Sequence, residues 1–104
     1  MDNPTVGQLV YSSWGATMTI VDFYRIKKVS DSGKSVWIAP IKSVEVSGDG
    51  WTGRVKADVT DHGSDNPKDW IMCRKGKGGH FKVGYRAWLR DNSSNEPRYY
   101  NNLD

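Results

Sequence analysis

The chain is poor in cysteine, in proline and in long apolar runs, and each scarcity excludes something. A single cysteine, Cys73, cannot form an internal disulfide, and one cysteine without several histidines cannot build a structural zinc site. Cys73 and the two histidines match no nucleophile or metal spacing. No stretch approaches the ~18 consecutive apolar residues of a membrane span, and no positively charged start followed by an apolar run marks a signal peptide. A soluble protein of a reducing cytosol is the expectation. The glycine-rich segment "KGKGG", residues 75–79, has neither the length nor the trailing Lys-Ser/Thr of a phosphate-binding loop, and no serine elbow is present. Catalysis is unsupported, so the chain is expected to be no enzyme and to use no cofactor and no metal.

With 104 residues, the chain is expected to form one domain over 1–104, with a polar C-terminal tail from about residue 91. Aromatic residues compensate for a modest aliphatic content. Five Trp, five Tyr and two Phe are present, and each buried aromatic removes roughly 150–250 Å² from water. The net charge of +3 says little, but its distribution says more. Residues 70–90 carry Arg74, Lys75, Lys77, Lys82, Arg86 and Arg90 with no acid, whereas residues 1–69 carry eight basic and nine acidic side chains.

The hydrophobic pattern is mostly of period two, broken by glycine-containing turns every eight to twelve residues, which predicts an all-β domain. "GQLVYSS" reads as a first strand with Leu9 and Tyr11 on one face, and "VDFYRIKKV" as a second, ended by the turn "DSGK". "SVWIAPI" has apolar residues on both faces and reads as a central strand, although Pro40 argues for an edge or a bulge. "SVEV" leads into a hairpin at Asp49-Gly50, followed by "WTGRVKADV", in which Trp51, Gly53, Val55, Ala57 and Val59 are expected to face the core. "WIMCR" and "HFKV" flank "KGKGG" as a further hairpin. Five to six short antiparallel strands of this kind predict a small SH3-like or OB-like barrel.

The segment "HFKVGYRAWLR", residues 80–90, carries the functional signal. If extended, it places Phe81, Val83, Tyr85, Ala87 and Leu89 on one face, and His80, Lys82, Arg86, Trp88 and Arg90 with Gly84 on the other. If helical, Lys82, Arg86 and Arg90 still line up, four residues apart. Cations spaced by roughly 6–7 Å along one face match the repeat of phosphates on a nucleic-acid backbone, and Trp88 beside them can stack on a base. Arg74, Lys75 and Lys77 would add a second clamp on a hairpin tip whose glycines let a backbone approach. The bland reading is a solvated basic face with Trp88 capping the core. The acidic loop "DVTDHGSDNPKD" gathers Asp58, Asp61, His62, Asp65 and Asp69 but lacks the spacing and terminal glutamate of a calcium loop, so it reads as solvated.

At Val6-Gly7, Ser12-Ser13-Trp14-Gly15 and Asp22-Phe23-Tyr24 the chain resembles a family of small proteins, without an assigned activity, encoded by bacteriophages and other mobile elements. Its tail "YRAWLRDNSSNEPRYY" is loosely similar to the aromatic and polar end of that family. The resemblance implies an origin, the cytoplasm of a bacterial host, and no chemistry; Trp14, Phe23 and Tyr24 read as core and turn-packing residues. Combined with the basic segment, it leads to an accessory protein that binds nucleic acid or a nucleoprotein through Arg74, Lys75, Lys77, Lys82, Arg86, Trp88 and Arg90. The alternatives are a protein-directed inhibitor of a host defence nuclease, of the anti-CRISPR or anti-restriction type, and a structural virion component.

Overall fold

The computed structural model describes residues 3–15, 18–84 and 86–102. Its described residues form an all-β fold of short antiparallel strands: β1 (Leu9–Trp14), β2 (Ile20–Val29), β3 (Ser35–Ile41), β4 (Ser43–Gly48), β5 (Thr52–Ala57), β6 (Ile71–Arg74), β7 (Lys82–Gly84), β8 (Ala87–Trp88), β9 (Arg90–Asp91) and β10 (Arg98–Asn101). Three sheets result, ordered β6-β3-β2-β1-β9, β10-β5-β4 and β7-β8. The polar tail is woven into this fold through β10, which pairs with β5 and buries Tyr100.

The largest sheet curls. Its β6 edge meets the β7–β8 hairpin at the single bridge Lys75↔Phe81, the Leu89 amide donates to the Phe81 carbonyl at 2.8 Å, and β9 then pairs with β1. The strand path thus nearly returns to its start, but one bridge is not a ladder, and the described residues form no closed barrel.

Period-two alternation explains why the sheet has two apolar faces. Along β1, Val10 turns inward to join Tyr24, Ile26, Val36, Ile38, Cys73, Phe81 and Leu89 in the concave core. Leu9 and Tyr11 turn the other way, toward Phe23, Val21, Ile41, Val55 and Ala57, where the three-stranded sheet covers them. Full burial of each large aliphatic or phenyl group contributes about 1.5–3 kcal/mol. Strand β3 is central, as its two-sided pattern requires, with Val36, Ile38 and Ala39 all buried. Pro40 fits because the β6 ladder stops at Ile38↔Ile71, leaving the proline beyond the paired stretch on that side.

The acidic loop closes over β3. Gly63 has φ of +77°, and a Cβ there would stand 2.7 Å from the Cβ of Ala39, so this position needs glycine for both conformation and space. Lys27 helps anchor the loop by donating from Nζ to the His62 carbonyl at 3.1 Å and to Asp65 Oδ1 at 2.8 Å. Asn95 fastens the tail in a similar way. With φ of 51°, it accepts from the Ala57 amide at 2.9 Å and donates to the Ala57 carbonyl at 3.0 Å. Asn95→Ala removes both bonds and sets alanine in a left-handed conformation. A loss of about 2–3 kcal/mol in urea unfolding is expected, with Asn95→Gly losing less; equal losses for the two variants would contradict the backbone part of this account.

Two expectations need correction here. Trp51 and Val59 are exposed, and Trp51 at 61% cannot be a core residue. The reason is that the three-stranded sheet covers only one end of the larger one, so the alternation of β5 is buried at Ala57 and open at the hairpin. Trp14 is likewise exposed, its indole N–H donating to Asp22 at 2.8 Å, while Phe23 and Tyr24 are buried on opposite faces. The hairpin at Asp49-Gly50 forms as read: Gly50 takes φ of +87°, and the Asp49 carboxylate accepts from the amides of Trp51 and Thr52.

Candidate functional site

Residues 80–90 are neither one strand nor a helix; they form the β7–β8 hairpin running into β9, with Arg86 at the turn at φ of 56°. The burial alternation nevertheless matches the extended reading. Phe81, Ala87 and Leu89 are buried and Val83 is half-buried, whereas His80, Lys82, Gly84, Arg86, Trp88 and Arg90 are exposed. Tyr85, assigned to the inner face from the sequence, lies outside the described residues.

Register decides which exposed side chains meet. Lys82 is directly opposite Trp88, and residues directly opposite in an antiparallel pair share a face. One step along from the bridge Lys75↔Phe81, Arg74 comes beside Lys82, and on its other side Arg74 is opposite Ser35. A cross-strand row therefore runs Ser35, Arg74, Lys82, Trp88. Two residues back along β6, a parallel row runs Lys28, Trp37, Met72, with the Lys28 ammonium 4.7 Å from the centre of the Trp37 ring. Arg90 follows Trp88 by two residues and sits opposite Tyr11. No Asp or Glu occupies either row, and Arg74, Lys75, Lys77, Lys82 and Arg90 form no ion pair with a described residue.

Of the seven residues named from the sequence, Arg74, Lys82, Trp88 and Arg90 thus come together on the convex face. The other three diverge. Lys75 lies opposite Phe81, its ammonium 5.9 Å from that ring, so it turns to the other side of the sheet from Arg74. Lys77 sits in the short 3₁₀ turn Lys77–Gly79 at one end of the hairpin system, and Arg86 at the β7–β8 turn at the opposite end. The hairpin tip and the Lys82–Arg86–Arg90 line are therefore not one surface.

Lys28, Trp37, Met72 and Tyr11 belong to this face but escape sequence reasoning, because they come from strands distant in the chain. Tyr11 also helps line a cavity of about 490 Å³ together with His80, Trp88, Leu89, Arg90 and Asp91. The Arg98 guanidinium lies 4.2 Å from the centre of the Tyr11 ring and is held by two bonds to Asn92 Oδ1, at 3.1 and 2.7 Å. The one acid in the cavity, Asp91, is engaged: its Oδ1 accepts from Gln8 Nε2 at 2.8 Å and from the Ser93 hydroxyl, which holds its carboxyl below the usual range, the Ser93 bond being the larger cause.

The carboxylates of the acidic loop keep their charge but are tied into its own turns. Asp58 accepts from Thr60, Asp61 from the Gly63 and Lys42 amides, and Asp69 from Ser64. No group of three or more His, Cys, Asp or Glu among the described residues is arranged to hold a metal ion, and no described helix is long and apolar enough to cross a membrane. These turn bonds depress the carboxyls of Asp58 and Asp61, as the Thr52 and Trp51 amides depress Asp49 and the Lys27 ammonium depresses Asp65. A carboxyl depressed in the folded state stabilises it above the unfolded value, near pH 4, and that contribution fades as pH falls. In alkali the sign reverses. Burial pushes the Cys73 thiol up to about 11 and also raises Tyr24, so an unfolded chain ionises first. Tm is therefore expected to be flat between about pH 5 and 8 and to fall on both sides, with Asp61→Asn flattening the acid limb; a Tm unchanged from pH 7 to pH 3 would contradict it.

No family model, curated protein or solved structure matches this chain.

Proposed function

We propose that the chain is a nucleic-acid-binding accessory protein, built on an SH3-like or OB-like curled sheet, whose contact face is the pair of rows Lys28–Trp37–Met72 and Ser35–Arg74–Lys82–Trp88 extended by Arg90. The observation that supports this reading most directly is the cross-strand adjacency of Arg74, Lys82 and Trp88 in a row that holds no carboxylate. Neighbours within a row stand on adjacent strands about 4.8 Å apart, and the two rows lie two residues, about 6.6 Å, apart along β3 and β6, so the cations are spread over distances a sugar-phosphate chain can follow. Trp88 is 40% exposed and Met72 46% exposed, a cost in water that contact with a base or sugar would remove. The phage or mobile-element origin implied by the N-terminal resemblance belongs to the same proposal. The engaged carboxylates of the acidic loop give no comparable support to an inhibitor that acts by offering acid to a basic groove.

Salt tests it. With four cations on the face (Lys28, Arg74, Lys82 and Arg90), log affinity for a labelled oligonucleotide is expected to fall with log salt at a slope of about −3 to −4. Failure to bind single- or double-stranded DNA or RNA near 50 mM salt, or an affinity insensitive to salt, overturns the reading.

A further inference from the structure

The cavity between Tyr11 and Trp88 carries the reading one step further, to the kind of nucleic acid. A face that recognised only backbone would need cations and nothing concave. Here the convex rows end at a depression of about 490 Å³ whose walls include two aromatic side chains, Tyr11 and Trp88, with His80 and Arg90 beside them. This volume lies within the range of small-ligand sites, roughly 300–1,000 Å³. It is formed by the fold's near-closure: Tyr11 comes from β1, Trp88 and Arg90 from the β8–β9 run, and His80 from the approach to β7. Asp91 keeps its charge, since Gln8 and Ser93 donate to it and favour the carboxylate, so the anion belongs on the Arg90 and His80 side of the depression. Arg98, over the Tyr11 ring and held by Asn92, adds positive charge behind that wall. A flat aromatic group flanked by an anion is the chemistry such walls select.

We propose that this cavity receives one unstacked nucleotide unit, its base against Trp88 and Tyr11 and its phosphate toward Arg90 and His80, so that the face prefers single-stranded nucleic acid to duplex. The inference rests on the nucleic-acid reading. In a duplex each base is stacked and paired, and extruding one costs free energy that a single strand does not require. Duplex can therefore use the cationic rows but not the cavity.

The test compares fluorescence anisotropy of a labelled ten-nucleotide single strand, a duplex of the same sequence and inorganic polyphosphate, with a nucleoside 5′-monophosphate as competitor. The single strand is expected to bind roughly tenfold or more tightly than duplex, the worth of about one base stack. Trp88→Leu should weaken single-strand binding far more than duplex binding and so remove most of that preference, Trp88→Phe should restore much of it, and Arg74→Ala should weaken single strand and duplex alike. Thermal unfolding of each variant separates a binding loss from a folding loss. Equal affinity for single strand and duplex, or a Trp88→Leu loss equal for both, overturns the inference and leaves the nucleic-acid reading standing. No binding to any of the polyanions overturns both. A monophosphate that binds as tightly as the oligonucleotide would assign the cavity to a free nucleotide and overturn the strand preference.

Discussion

Replacing Arg74, Lys82 and Arg90 together by alanine is expected to weaken oligonucleotide binding by roughly a hundredfold at physiological ionic strength and to make the salt slope shallower by about 2 to 3. Each cation that neutralises a phosphate releases about 0.7 to 0.9 of a counterion, so three lost contacts change both affinity and slope in proportion. These three are chosen by register: Arg74 and Lys82 stand side by side across the bridge from β6 to β7, and Arg90 lies two residues beyond Trp88. All are exposed, so alanine leaves the cores intact. The informative control removes the same charge elsewhere. Lys42, Arg54 and Lys56 are also exposed, on or next to the three-stranded sheet. If their replacement weakened binding as much, net charge alone would govern association and the convex rows would have no special role.

Phe81→Ala is expected to be the most damaging single change to stability, costing about 3–5 kcal/mol. Phe81 is fully buried among Val10, Tyr24, Ile26, Val36, Ile38, Cys73 and Leu89, residues drawn from both ends of the strand path. Its backbone also makes the single bridge to Lys75, and its carbonyl accepts from Leu89. Removing the ring empties the place where the curled sheet comes closest to closing, so relaxation around the cavity cannot occur within one strand pair. Against a total stability of about 5–15 kcal/mol, the loss should lower Tm by roughly 15–30 °C. Phe81→Leu should cost far less, and Val46→Ala, at a position 48% exposed on the open edge strand β4, should stay within about 0.5 kcal/mol. A cost below about 1 kcal/mol for Phe81→Ala would mean that the concave cluster does not hold the hairpin to the sheet.

The two variants are linked through one residue. Phe81 aims inward, and its neighbour Lys82 aims outward beside Arg74 and Trp88. The core contact of the first therefore sets the direction of the second. This predicts that Phe81→Ala, where it still folds, blurs the single-strand preference as well as the stability, which the same anisotropy titration reads.

The sequence alone determined the strand class, the two-sided burial of β3, the Asp49-Gly50 turn and the inward and outward alternation of the described residues between His80 and Arg90. Each follows from local rules: a pleated strand sends neighbours to opposite faces, and only a few residues accept a positive φ. It also located the acid-free basic segment, because charge along a chain is read directly. What the chain order could not convey is which strands become neighbours. Arg74 and Lys82 are brought together by a bridge across a turn, while Lys75, the residue between Arg74 and the turn, faces the other way. Tyr11 reaches the cavity only because β9 pairs with β1, and Lys28, Trp37 and Met72 align only through β2, β3 and β6. Tertiary structure also decided that Trp51 and Trp14 stay in water, since exposure depends on how far one sheet extends over the other. Local geometry fixes the direction in which a side chain leaves its strand; only strand pairing fixes what it meets there.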